Sequence, residues 1–88
     1  MDVREFINLA DAVIDRLAPE IAEGRAQLIR ESAGAGAWEV AIPELVAVLA
    51  HEHTPVTPED RETLLRLLER LGEPTEDIDQ LNVAASER

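Results

Sequence analysis

Apolar residues recur along most of the chain at intervals of three and four, the period of an amphipathic α-helix. No segment alternates apolar and polar residues with the period of two that a half-buried strand shows. The predicted helices cover Asp2–Leu17, Pro19–Ala33, Ala37–Glu52, Pro58–Leu71 and Thr75–Leu81. The sequence therefore predicts an all-α fold, a compact bundle of four main helices and a short C-terminal helix with αα-hairpin packing.

The residues between the apolar segments define where these helices end. Thr57–Pro58 supplies a hydroxyl cap followed by a proline in the first helical turn, and Gly72 stands where a left-handed residue closes a helix. Gly24 weakens the second helix by about 1 kcal/mol relative to alanine. Pro43 lacks the N–H that the third helix needs. We expect that helix to start near Ala37 and to be distorted locally at Pro43.

The apolar stripes of the helices predict one shared core. Its expected members on the first, third and fourth helices are Phe6, Val13, Trp38, Ala41, Leu45, Leu49, Leu64 and Leu68. The second helix adds a thinner stripe of Ile21, Ala22, Leu28 and Ile29. We expect a single domain over residues 1–81, a last helix capped by Thr75, and a flexible tail over residues 82–88.

Composition and charge narrow the possible partners. The 88 residues carry a formal net charge of -11, with arginine as the only cation besides histidine. Such a field repels phosphate backbones and anionic lipids and attracts basic proteins. The sequence has neither a secretory signal nor an apolar run of the roughly 18 residues that span a bilayer. It also lacks cysteine. We therefore expect a cytoplasmic protein with no nucleic-acid or membrane partner.

Candidate chemistry is sparse. His51 and His53 are two positions apart, so they do not share a helix face, and no HExxH motif is present. Neither Ser32 nor Ser86 lies in a GxSxG turn. The sequence predicts no catalytic, metal-binding or cofactor-binding residue, and we expect that the protein is not an enzyme.

The third helix carries a second apolar strip opposite its main stripe. Val40, Pro43, Ala47 and Ala50 form this strip, and Glu39, Glu44 and His51 border it. A helix that is apolar nearly all round lies either at the centre of its bundle or against a partner. The charge is also unevenly distributed along the chain: the formal net charge is -3 over residues 1–37 and -8 over residues 38–88. The predicted partner-binding residues are Glu39, Val40, Glu44, Ala47, His51, Glu62 and Glu69.

Several stretches of the chain share a pattern with a known family. They are Phe6–Leu17, Gly36–Leu45, Leu49, Glu52, Pro55–Glu59, Leu68 and Leu71–Gly72. In these stretches the chain resembles the Maf-type immunity proteins of bacterial polymorphic toxin systems, which are short, acidic and helical. The resemblance implies a cytosolic protein that binds a cognate secreted toxin, often a nuclease, and blocks it. The chain departs from the pattern at Ala37, where an acidic residue is expected, and at Pro43, so no contact residue is carried over.

The run after Gly36 also resembles the second helix of a tetratricopeptide repeat. That motif packs a helix against its neighbour through a small residue, here Ala41. No second copy occurs at the 34-residue spacing of such repeats, so the resemblance implies an αα-hairpin and not a solenoid.

Two functions fit these patterns. The first is an immunity protein that occludes the active site of a toxin, a nuclease-type domain with a basic surface, through acidic and apolar helix surfaces. The alternative is a small acidic helical adaptor or dimerisation module without a toxin partner. The free protein is expected to be a monomer or a homodimer.

Overall fold

The computed structural model describes residues 1–84, and four α-helices form most of that part of the chain. They are α1 (Val3–Leu17), α2 (Glu23–Gly34), α3 (Trp38–Glu52) and α4 (Pro58–Leu71). Short 3-10 helices follow α1 and α4, at Ala18–Glu20 and Glu76–Gln80. Two strands of two residues each, β1 (Pro55–Val56) and β2 (Asn82–Val83), pair in parallel. The predicted all-α bundle is confirmed.

Helix α3 lies at the centre of the bundle. It contacts α1, α2, α4 and the 3-10 helix Glu76–Gln80. Its side chains Ile42, Leu45 and Leu49 have no exposed surface. Fully burying one aliphatic side chain of this size stabilises a fold by about 1.5–3 kcal/mol. Helix α3 buries six of its residues, more than any other helix described over residues 1–84, so its buried face contributes strongly to stability.

The predicted core forms a single cluster. Seven of its eight expected members are buried: Phe6, Val13, Ala41, Leu45, Leu49, Leu64 and Leu68. Trp38 is half-buried at the edge of that cluster, where its ring meets the ring of Phe6 edge to face at 6.1 Å between centroids.

Side-chain hydrogen bonds start α1 and α4, and a left-handed glycine ends α4, at the positions that the sequence predicts. The carboxylate of Asp2 accepts the N–H of Glu5 at 2.7 Å and caps α1. The hydroxyl of Thr57 accepts the N–H of Asp60 at 3.0 Å to start α4. Gly72 closes α4 with a φ of 72°, a conformation that favours glycine because it has no Cβ.

Helix α2 differs most from the prediction. It begins at Glu23, because Ile21 is extended and Pro19 belongs to the preceding 3-10 helix. Its buried residues are Ala26 and Ile29, whereas Leu28 is 48% exposed. The prediction that Leu28 faces the core was therefore wrong. Ala26 and Leu28 are two positions apart and so point to nearly opposite sides of the helix, and burial of Ala26 therefore leaves Leu28 facing solvent.

Helix α3 runs on through Pro43. It begins at Trp38, one residue after the predicted start, and continues to Glu52 without a break. Because proline has no N–H, the carbonyl of Glu39 receives no hydrogen bond from the helix backbone. Glu39 is exposed, so water can hydrate that carbonyl.

The C-terminal part also departs from the prediction. The last helix is a 3-10 helix without a side-chain cap from Thr75. Asn82 and Val83, which were expected in the tail, pair with β1, and the Asn82 amide donates to the carbonyl of His53 at 2.9 Å. A two-residue strand is too short to show alternation, so no sequence pattern predicts the pair. Residues 85–88 of the expected tail lie outside the described residues.

One carboxylate is buried and carries two structural roles. Asp60 is 4% exposed, and its side chain completes the capping box of α4. It also accepts from the guanidinium of Arg16 on α1, with Nε at 2.9 Å. The pair therefore joins the last turn of α1 to the first turn of α4.

We predict that Leu45→Ala lowers the free energy of unfolding by about 2–5 kcal/mol, because it leaves a cavity in the core. Val40→Ala on the same helix should lower it by less than about 1 kcal/mol, since Val40 is 48% exposed. Urea denaturation of the two variants measures both values. Equal losses would mean that α3 is not oriented as described.

We predict that Asp60→Ala lowers the free energy of unfolding by about 1–3 kcal/mol, because it removes part of the α4 cap and the partner of Arg16. Glu59→Ala is the matched control, since Glu59 is an exposed carboxylate in the same turn. The control should lose no more than about 1 kcal/mol. A loss from Glu59→Ala as large as that from Asp60→Ala would contradict the assigned role.

Candidate functional site

One side of α3 is incompletely covered by the rest of the fold. We call Val40, Pro43, Ala47 and Ala50 the α3 strip. Val40 is 48% exposed, and the other three residues are half-buried. The remaining apolar residues of α3 are mostly buried. The helix is thus central in its bundle and still presents one apolar strip to the surface.

A groove runs beside this strip between α2 and α3. It encloses about 230 Å³, and its walls are Arg25, Glu44, Ala47, Val48, His51 and Glu52. Across it, the Nη1 of Arg25 donates to the Oε2 of Glu44 at 2.7 Å. The groove therefore has an apolar floor and charged walls. It offers room for a side chain from another molecule.

The antiparallel packing of α2 and α3 adds a residue that the sequence did not assign to this surface. The contact between Arg25 and Glu44 fixes which turns of the two helices are neighbours. Leu28 lies one turn from Arg25 toward the connecting loop, and Val40 lies one turn from Glu44 in the same direction. Leu28 and Val40 are both 48% exposed. An exposed aliphatic side chain thus lies one helical turn from each partner of the ion pair.

The structure brings together only some of the predicted partner-binding residues. Glu44, Ala47 and His51 line the groove, and Val40 lies one turn away on the same helix face. Glu39 is exposed at the first turn of α3, beside Pro43. Glu62 and Glu69 lie on the exposed face of α4. Neither forms a hydrogen bond or an ion pair with the α3 strip in the described part of the chain.

Within residues 1–84, acidic side chains greatly outnumber the ion pairs they make. The pairs found there are Arg16–Asp60, Arg25–Glu44 and Arg61–Asp79. The whole sequence contains 19 acidic residues and 8 arginines. Most carboxylates, including Glu39, therefore have no arginine beside them, and they generate a negative potential around the protein.

The histidines are exposed at the end of α3. His53 takes a left-handed conformation with a φ of 56° and ends the helix. Over residues 1–84, no three histidine or carboxylate side chains are grouped as a metal site would require. None of the helices described there has the length and apolar character needed to cross a bilayer.

A second, smaller apolar hollow lies at the other end of the bundle. Val3, Phe6, Arg70 and Leu71 line about 160 Å³ of space there. The guanidinium carbon of Arg70 lies 6.0 Å from the centre of the Phe6 ring, within cation–π range. This contact covers one face of the ring and orders the junction of α1 with α4.

The fold and its surfaces define a small helical protein with an acidic exterior and an open apolar strip on its central helix. The chain belongs to DUF6189, a family of unknown function whose model matches residues 1–84. Neither the curated proteins nor the solved structures contain a significant match to it. The family description specifies no activity, so a function can be inferred only from the surface itself.

We predict that Ala47→Glu leaves the melting temperature within about 5 °C of the wild type, because the groove beside Ala47 can accept the carboxylate. Ala41→Glu is the matched control on the same helix. Ala41 has no exposed surface, so its variant buries an unpaired charge and should unfold. Thermal melting followed by circular dichroism compares the two. A collapse of both variants would show that the strip is covered.

Proposed function

We propose that the protein is an immunity protein that binds a cognate bacterial toxin domain with a basic surface and occludes its active site. A single observation carries this proposal: the central helix leaves an apolar strip open and borders it with carboxylates. Protein interfaces have this arrangement, in which an apolar centre excludes water and a polar rim surrounds it.

The charge of the protein suggests which toxins it would bind. A nuclease groove is built to hold phosphates, so it concentrates arginine and lysine side chains. Unpaired carboxylates on the immunity protein would enter such a groove in place of the phosphates. The net charge of -11 would also speed the encounter, since long-range attraction raises association rates. The resemblance to Maf-type immunity proteins points to the same role.

The alternative is an adaptor or dimerisation module without a toxin. Two copies meeting through the α3 strip would bring Glu39 and Glu44 of one copy close to those of the other. Like charges at that distance repel, and the overall charge adds to the repulsion. These charges favour a basic partner over a second copy.

Co-expression tests the proposal. Each gene adjacent to the coding sequence is expressed alone and together with this protein, and bacterial growth is recorded. We expect one neighbour to be toxic alone and to be neutralised by co-expression, and to bind the purified protein in isothermal titration calorimetry. If every toxic neighbour remains toxic in its presence, or if none is toxic, the adaptor function replaces the immunity function.

With that toxin domain as the partner, we predict that the association rate falls steeply as salt rises, while the dissociation rate changes little. Reversing Glu39, Glu44 and Glu52, the carboxylates of α3, to lysine should slow association by about tenfold or more at low salt. The matched control reverses Glu5, Asp11 and Asp15 on α1 and has the same net charge. If both triple variants slowed association equally, the association rate would depend on the overall charge of the protein and not on the carboxylates beside the α3 strip.

A further inference from the structure

Leu28 and Val40 are the large aliphatic residues of the α2–α3 hairpin that remain about half exposed. Each lies one turn from the Arg25–Glu44 contact, Leu28 from Arg25 on α2 and Val40 from Glu44 on α3. Neither supports the fold strongly, because the buried cluster is complete without them. Exposed aliphatic side chains provide the contact area that interfaces use.

The ion pair beside them is incomplete. A single guanidinium nitrogen of Arg25 contacts a single carboxylate oxygen of Glu44. The other oxygen of Glu44 accepts no hydrogen bond from the described residues. An arginine that binds a carboxylate through two parallel hydrogen bonds makes a stronger contact than this one. An incoming arginine can therefore displace Arg25 with a net gain in hydrogen bonding.

The exposures of the two side chains fit such an exchange. The side chain of Arg25 is 59% exposed, so it can turn into water at little cost. The side chain of Glu44 is only 29% exposed, and it forms part of the groove wall. The carboxylate is thus the more buried partner of the pair, and the arginine is the more exposed one.

We propose that Glu44 is the carboxylate that binds a cationic side chain of the partner, and that Arg25 shields it until the partner displaces it. The partner would be a basic segment that presents an arginine next to an aliphatic side chain. The arginine would bind Glu44 at the groove, and the aliphatic side chain would pack on Leu28 and Val40. This inference rests on the proposed function and names the surface and the chemistry of its partner.

Charge complementarity selects this occupant over a second copy of the chain. The groove carries Glu44 and Glu52 beside one arginine, Arg25. A basic segment neutralises these carboxylates, whereas a second copy would duplicate them. A purely apolar segment would leave the displaced charges without partners.

Two substitutions with opposite expected effects test the proposal. The probe is a synthetic amphipathic helical peptide of leucine and arginine, titrated into the wild type, Arg25→Gln and Glu44→Gln. An exposed ion pair is worth up to about 1 kcal/mol, so Arg25→Gln should tighten binding roughly two- to fivefold. Glu44→Gln should weaken it by a similar factor. If the Arg25–Glu44 pair had only a structural role, both substitutions would change the dissociation constant of the peptide in the same direction.

Matched controls separate the local effect from net charge. Arg30→Gln removes a cation from another face of α2, and Asp11→Asn removes an anion from α1. Both residues are exposed. We expect each control to change the dissociation constant less than the corresponding test variant. Thermal melts of all four variants should match the wild type, because none of the four residues is buried. Controls that equal the test variants overturn the proposal.

Amide chemical-shift mapping locates the peptide on the ¹⁵N-labelled protein. We expect the largest shifts at Leu28, Val40, Glu44 and Ala47. Shifts concentrated on α4, an absence of saturable binding, or a free homodimer that buries Leu28 and Val40 would each overturn the inference. The co-expression assay uses the whole toxin domain, so neutralisation there would preserve the proposed function even if the peptide result overturned this surface.

Discussion

The burial of α3 is the constraint on which the rest of the structure depends. Eleven of the 15 residues of this helix are apolar, so it must be surrounded by other elements to be stable in water. Helices α1, α2 and α4 and the C-terminal 3-10 helix supply that cover. Over residues 1–84 these elements leave one side of α3 uncovered.

The open side of α3 follows from how α2 covers it. Helix α2 contributes only Ala26 and Ile29 to the core, and its remaining surface is polar or faces solvent. A helix that packs through a small residue comes close but covers little area. The groove and the exposed Leu28 result from this thin cover. The same shortage of apolar cover that limits stability thus creates the surface that we assign to a partner.

Much of the fold was predictable, because α1, α3 and α4 have clear apolar stripes and recognisable ends, such as Thr57–Pro58 and Gly72. The exposure of Leu28 was not, since the apolar stripe of α2 is too thin to show which side of that helix is buried. The contact of Arg16 with Asp60 joins residues 44 positions apart, and no local pattern reports it. For the candidate site, the helical period of the sequence predicted the α3 strip. The groove beside the strip could not be predicted, because it is formed by the packing of α2 against α3.

Methyl NMR with a soluble paramagnetic agent tests most directly whether α3 is buried except along one strip. We predict strong relaxation of the Val40 methyl groups and weaker relaxation of the Ala47 methyl group in the free protein. The methyl groups of Ile42, Leu45 and Leu49, which have no exposed surface, should be unaffected. Equal protection of Val40 and Leu45 would contradict this description, because the strip would then be covered in solution by the chain itself or by a second copy.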